Sequence, residues 1–308
     1  MKLKLKLSAI TLGVGLAYAT LPACAVDTVT ISQNGTASNQ AYVEQLNSTN
    51  ASVAINQSGQ NEIGATAGNK PGVLQQDSNN ASVLVTQKGS SAASVEQVQA
   101  GDSSINLSQD GLAHYAHVEQ TDSSKAVVNL NQLGAHQYAN LGQYMVTDGK
   151  LTLSQSGEAN RGTMSQENSR RVSAELRQDY GFGEAVLTQK NVTDSSMYAS
   201  QGGAQNRIYA AQAGGTFLSA NLNQTGANQL ANVSQGGSYN ASNVDQRGNW
   251  NEANILQAGS YNTASITQFG SGADVATRNI ATIDQAGNNL VANLTQTGMS
   301  QVASVKQR

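Results

Sequence analysis

The stretch Gln235-Gly-Gly-Ser-Tyr-Asn240-Ala-Ser242-Asn-Val244-Asp-Gln246 is followed at once by Gln246-Arg-Gly248-Asn-Trp-Asn251-Glu-Ala253-Asn-Ile255-Leu-Gln257. A third copy reads Gln257-Ala-Gly259-Ser-Tyr-Asn262-Thr-Ala264-Ser-Ile266-Thr-Gln268. The shared template is Gln-x-Gly-x-x-Asn-x-Ala-x-φ-x-Gln, with φ apolar. Around φ-x-Gln the residues alternate with period two, so Ala264, Ile266 and Gln268 share one face of a short strand. The Gly, Asn or Asp two places after each glutamine supplies the tight-turn position that bends the chain.

Read outward from these copies, the glutamine recurs at Gln109, Gln120, Gln132, Gln143, Gln155, Gln166, Gln178, Gln189, Gln201, Gln212 and Gln224, in steps of 11 or 12 residues. It continues beyond the copies at Gln285, Gln296 and Gln307, and 24 such units run from Gln33 to Gln307. Two steps make a unit of 22 to 23 residues, a period that belongs to solenoids. The residue two before the glutamine is apolar throughout, as at Val233, Val244, Ile255, Ile266, Ile283 and Leu294. The residue two after it is Gly, Asn or Asp except at Gln99, Met145 and Tyr180. With only 12% charged and 5% aromatic residues the chain has the composition of a disordered segment or of a narrow repeat fold. Two columns held over nearly the whole length exclude disorder.

The expected architecture is all-β: a two-sheet β-solenoid of strand–bend–strand coils with the spacings of cross-β structure. Coils would stack about 4.8 Å apart with sheets about 10 Å apart, giving a rod on the order of 60 Å long. Three inward columns follow: φ, the smaller residue two before it, and the glutamine. A buried glutamine is costly alone, but stacked on its own kind it can donate to one neighbour and accept from the other. The expected ladder includes Gln235, Gln246, Gln257 and Gln268, and the expected bends are Gly237, Gly248 and Gly259 with Asn240, Asn251 and Asn262. The 12-residue steps tend to carry larger residues at the earlier inward place (Val128, Leu151, Met197). The 11-residue steps carry small ones there (Ala116, Ala139, Gly162, Ala185), which predicts one fuller and one thinner sheet. Loops are expected near Asn69-Lys-Pro-Gly72 and Ser271-Gly-Ala273, where the step lengthens.

The first residues, Met1-Lys-Leu-Lys-Leu-Lys-Leu7, precede an apolar run from Ala9 to Leu21 and the small-x-small site Ala23-Cys24-Ala25. That order predicts a secretory signal peptide over 1–25, with the repeats occupying 26–308. A lipoprotein signal ending at Cys24 fits less well, because Pro22 precedes the small residue. Cleavage after Ala25 would remove the sole cysteine, leaving a secreted chain without disulfides. It also removes three of the 17 basic residues, so 14 stand against 20 acidic ones, and no basic patch remains for nucleic acid. Repeats begin close to residue 26 and end at Gln307-Arg308, which leaves no cap over either solenoid end as expected from the sequence.

The units resemble the curlin repeat of bacterial curli subunits, Ser-x5-Gln-x-Gly-x2-Asn-x-Ala-x3-Gln. Gln257, Gly259, Asn262, Ala264 and Gln268 match it, as do Gln235, Gly237, Asn240 and Gln246 with Ser242 in the Ala place. The resemblance implies an extracellular amyloid-like surface fibre that assembles with itself and with other curlin subunits. It also implies export through an outer-membrane pore with chaperones, and a role in adhesion and biofilm matrix. The repeats outnumber those of the familiar subunits, and the glycine-rich leader of the major subunit is missing. The ending Val305-Lys-Gln-Arg308 is similar to that of the minor subunit, giving a slight lean to a nucleator-like role.

No catalytic, cofactor or metal site is expected. His114 and His117 lack a Cys or carboxylate cluster and read as exposed loop and outer-face residues, and no nucleophile elbow or phosphate loop occurs. Glu44, Glu96, Glu119, Asp245 and Asp284 sit just before the glutamine and are expected outward. Lys125, Arg161, Arg170, Arg171 and Asp179 interrupt the middle coils as a solvated face or as gatekeepers against aggregation. Tyr239, Trp250 and Tyr261 are expected at the same bend place in three successive coils, as a stacked edge or a ligand platform. The alternative function is a monomeric solenoid that binds polysaccharide or another surface ligand.

Overall fold

The computed structural model describes residues 2–9, 15–16, 27–34, 39–63 and 72–308. The chain divides into two compact units, Met1–Leu153 and Ser154–Arg308, each taken in turn. Both are β-solenoids, and no helix occurs among the described residues. The expected cleavage site and the expected loop up to residue 71 lie outside them.

In the first unit, strands stack in parallel on two walls. One wall places Ile31 beside Ile55, Ile55 beside Val85, Val85 beside Leu107 and Leu107 beside Leu130. The other aligns Val43, Val73, Val95, Val118 and Leu141. Partners are therefore residues at the same place in the repeat, and a slip of one residue would turn every apolar side chain outward. Lys2–Ala9 runs antiparallel to Asn39–Leu46, and Gly15–Leu16 antiparallel to Thr28–Asn34.

The second unit repeats the arrangement. Leu176, Ala199, Leu222, Val244, Ile266 and Leu294 align on the first wall. Met164, Leu187, Ala210, Val233, Ile255, Ile283 and Val305 align on the second. The expected second loop falls between Thr263–Ser271 and Asn279–Asn288. Asp274 organises it, its Oδ1 accepting from the N–H groups of Ala276 and Thr277 at 2.9 and 3.0 Å.

The core is two residues wide, and its volume is shared between them. In the first unit Val83, Ile105, Val128 and Leu151 face Ala93, Ala116 and Ala139, a fuller wall against a thinner one. In the second unit that contrast fades, and Ala174, Ala220 and Ala264 oppose Ala185, Ala231 and Ala253. The exceptions compensate locally: buried Met197 and Ile208 take the earlier place, and the φ places beside them shrink to Ala199 and Ala210. Total volume is conserved while position is exchanged, which a close-packed core tolerates.

The bend after a first-wall glutamine packs closely on the backbone of the next coil, as at Gly203 and Gly226. Gly226 has φ +121°, and a Cβ there would lie 1.9 Å from the Gly248 carbonyl oxygen of the next coil. Tyr180 occupies the equivalent place with φ 82° and its ring exposed. A bulky residue in that region of backbone space is strained. Gly226→Ala is accordingly expected to destabilise the second unit by at least about 2 kcal/mol. Gly202→Ala, whose Cβ would meet nothing closer than 3.8 Å, should change stability by less than about 0.5 kcal/mol. Tyr180→Gly should stabilise by about 1 kcal/mol. Urea midpoints of the three variants check the order, and a neutral Gly226→Ala would contradict it.

Candidate functional site

The glutamines form two internal ladders. On the first wall of the first unit Gln33 donates from Nε2 to Gln57 Oε1 at 2.8 Å, and the chain of bonds continues through Gln87 and Gln109 to Gln132. On its second wall Gln45, Gln75, Gln97, Gln120 and Gln143 do the same at 2.7 to 2.8 Å. The second unit carries Gln155, Gln178, Gln201, Gln224, Gln246, Gln268 and Gln296 on one wall at 2.7 to 3.1 Å. Gln166, Gln189, Gln212, Gln235, Gln257, Gln285 and Gln307 line the other at 2.7 to 3.0 Å. All members of these series but Gln33 and Gln307 are buried.

Each Nε2 has two hydrogens, and the second is also used. Gln178, Gln201, Gln224 and Gln246 donate it to the carbonyls of Arg161, Glu184, Arg207 and Leu230, at the start of the preceding strand on the opposite wall. The ladder therefore ties coil to coil and wall to wall. A buried amide hydrogen bond contributes about 1 kcal/mol net, whereas an unmade one costs about 1–3 kcal/mol. The stack is worth most as a specification of register: a shifted coil would strand buried amides. Every bond has the same sense, Nε2 of the earlier glutamine to Oε1 of the later, so each ladder is polar. At its beginning, Oε1 of Gln33 and Oε1 of Gln45 are buried without a donor.

The apolar column lies against these amides, with Val233, Val244, Ile255, Ile266, Ile283 and Leu294 all buried. Gly237, Gly248 and Gly259 take φ of 88°, 101° and 102° at the bends. Asn240, Asn251 and Asn262 do something the sequence reading missed: they point inward and are buried. Asn240 Nδ2 donates to the carbonyls of Gly236 and Gly259 at 2.6 and 2.9 Å, while its Oδ1 accepts from the Asn262 N–H at 2.9 Å. Asn251 and Asn262 donate in the same pattern. The residue just before each, Tyr239, Trp250 or Tyr261, takes the left-handed conformation with φ near 60°, and that turn swings the asparagine inside. Bends of 12-residue steps solve the same problem with serine: Ser195 Oγ accepts from Leu218 N–H at 3.0 Å.

Three placements differ from expectation. His114 is 2% exposed rather than in an open loop, because it occupies the corner place that Asn160 and Asn206 hold further on. Its Nε2 lies 3.2 Å from the Asp110 carbonyl, a contact that requires the Nε2–H form, and Nδ1 is buried without a partner. Burial pushes its pKa below the usual value. Glu44 keeps the outer face, between inward Val43 and Gln45, but is buried there rather than exposed. Trp250 turns at the corner opposite Tyr239 and Tyr261, since successive units alternate walls. Phe217, Tyr239 and Tyr261 form the stacked series instead. Trp250 and Phe182, with Arg207, Glu252 and Arg278, border a cleft of about 470 Å³. Outer charges pair between coils, as Lys190 with Glu167 and Arg171 with Asp194, contributions of at most about 1 kcal/mol each.

Parallel two-strand coils threaded by amide ladders define the class: a β-solenoid built on a repeat of 22 to 23 residues. Residues 240–270 match the family described as the curlin associated repeat. That segment is the one in which both bends have the short, 11-residue form with an inward asparagine. A search of the curated proteins finds no match. The family and the solenoid point to a structural protein.

His114 yields a test of the corner. Its native form is neutral, so the unfolded chain binds a proton that the folded chain resists. Stability should hold above the unfolded value near 6.5 and fall as pH drops below it. His114→Asn, which restores the corner amide, should remove that part of the pH dependence in urea midpoints between pH 7.5 and 5. An unchanged slope would show that His114 titrates freely in the folded state.

Proposed function

We propose that the protein is a structural subunit of extracellular curli-like fibres, growing by addition of chains end to end. The observation that carries this reading is the polarity of the two ladders. In the first unit Gln33 and Gln45 hold acceptors with no donor, and in the second unit Gln296 and Gln307 donate to backbone carbonyls rather than to a further glutamine among the described residues. A second copy set on the last coil would place Gln33 after Gln296 and Gln45 after Gln307, completing both ladders. The strand Val302–Gln307 pairs with Asn279–Asn288 on one side only among the described residues. Its inward residues Ala303, Val305 and Gln307 are partly exposed, where the same columns elsewhere are buried. Open strand edges of this kind are templates for another chain.

In this reading residues 1–25 are a signal peptide, and their removal takes away the strands now lying on Thr28–Asn34 and Asn39–Leu46. Secretion, passage through an outer-membrane pore with chaperones, association with other curlin subunits, adhesion and a matrix role complete the proposal by family likeness. A second reading, a monomeric solenoid that binds polysaccharide, draws on the mixed cleft between Phe182 and Trp250.

Incubation of the mature chain 26–308 followed by fibre diffraction separates them. The fibre reading expects reflections near 4.8 and 10 Å. Val305→Asp puts a carboxylate into the face a second copy would cover, and should leave the monomer folded by circular dichroism while abolishing elongation. Fibres that grow at the same rate with Val305→Asp, or a wild-type chain that stays monomeric, would overturn the proposal.

A further inference from the structure

One solenoid corner carries an aromatic series whose geometry is unusual for side chains in water. Tyr239 and Tyr261 stack with ring centroids 4.6 Å apart and planes 2° from parallel, and Phe217 continues the stack 4.8 Å from Tyr239. Both tyrosines are about half exposed, 45% and 56%. Each is held by a left-handed backbone (φ 58° and 61°) and by a backbone hydrogen bond between coils, Tyr239 N–H to the Thr216 carbonyl at 2.8 Å and Tyr261 N–H to the Ser238 carbonyl at 2.9 Å. The rings meet face to face, so outward they show their edges and hydroxyls rather than a flat platform. A sugar seeking a ring face finds none between them. A small oxidant, by contrast, reaches both phenols.

We propose that Tyr239 and Tyr261 are a site of oxidative cross-linking, a covalent staple between adjacent coils. The co-reactants are hydrogen peroxide and a haem peroxidase. Each phenol gives up one electron and its hydroxyl proton, leaving two phenoxyl radicals held ring on ring. A carbon–carbon bond forms between the carbons ortho to the two oxygens. The hydrogen on each ortho carbon then moves to its phenolic oxygen, restoring both aromatic rings. The pair loses two hydrogens in all, and one peroxide becomes two waters. The coupling needs an encounter of two phenoxyl rings, which the stack replaces with a contact held in advance.

The inference has a second, weaker instance. Tyr115 and Tyr138 are register partners in parallel strands of the first unit, with centroids 5.2 Å apart and planes 14° from parallel. Five further tyrosines are described, at 42, 144, 180, 198 and 209. The chain's one cysteine is Cys24, so among the residues from 26 onward no disulfide can tie coil to coil. A tyrosine bond closing a 22-residue loop would act as a disulfide does, by constraining the unfolded chain.

The test uses the purified full chain, dilute, as an equal mixture of unlabelled and ¹⁵N-labelled protein, with a haem peroxidase and hydrogen peroxide. Digestion and mass spectrometry then identify linked peptides. The expected main product joins Tyr239 to Tyr261 within one chain, at the summed peptide mass less two hydrogens, with Tyr115–Tyr138 second. Tyr261→Phe keeps the stack and should abolish the first product while leaving the second. Unfolding in guanidinium before oxidation should erase the preference. The proposal is overturned if the yield follows exposure instead, with Tyr180 at 71% dominating, or if Tyr239 and Tyr261 link only between light and heavy chains.

Discussion

A glutamine side chain inside a protein must find partners for two donors and one acceptor, and in this chain the partner is another glutamine one coil away. The bond can form only if neighbouring coils are in register and one strand spacing apart. Once it forms, the other features follow. The residue two earlier must also point inward and be apolar, since period two places it on the same face. The chain must reverse between ladders within a few residues, which requires left-handed conformations at Gly226 and its equivalents and at the residue two later. The bend brings carbonyls inside, and buried asparagine or serine at the corner satisfies them. The small core thus owes its specificity to polar groups as much as to apolar area.

The strand faces were legible in the sequence because they depend on local alternation alone. Ile255 and Gln257 lie two apart, and no tertiary context can place them on opposite faces while the strand persists. The corners were harder to read. Asn240 looks like a turn residue, and it is in a turn, but its side chain direction depends on the left-handed φ of Tyr239, a residue type that ordinarily avoids that conformation. His114 was misplaced for the same reason: the corner pattern that buries Asn160 was not recognised as inward, so its histidine member read as exposed. The signal lay in the spacing, since each corner residue follows its first-wall glutamine by five places, from Gln109 to His114 and from Gln155 to Asn160. The position of Trp250 was a matter of counting walls, because adjacent units belong to opposite ones.

A ladder with a single sense of donation has a head and a tail, and the proposed fibre growth rests on that polarity. In the first unit the acceptors of Gln33 and Gln45 have no donor, and in the second unit Gln296 and Gln307 are the last described members of their series. Their meeting would add the same bond that already holds each coil to the next. Hydrogen-bonded amides polarise one another, so extending the stack reinforces the bonds already made. The outer surface carries paired charges such as Lys190 and Glu167, which lie on neighbouring coils.

The central claim is that the glutamine amides are buried and bonded to one another, and their hydrogens report on it directly. Side-chain amide exchange of the folded mature chain, followed by NMR after transfer to heavy water, reads each group. The Nε2 hydrogens of Gln212, Gln224 and Gln246 should be retained as long as the backbone amides of the strands that hold them, while exposed Gln205 exchanges at once. If the ladder amides exchange as quickly as Gln205, the stack is not what sets the register, and the account fails.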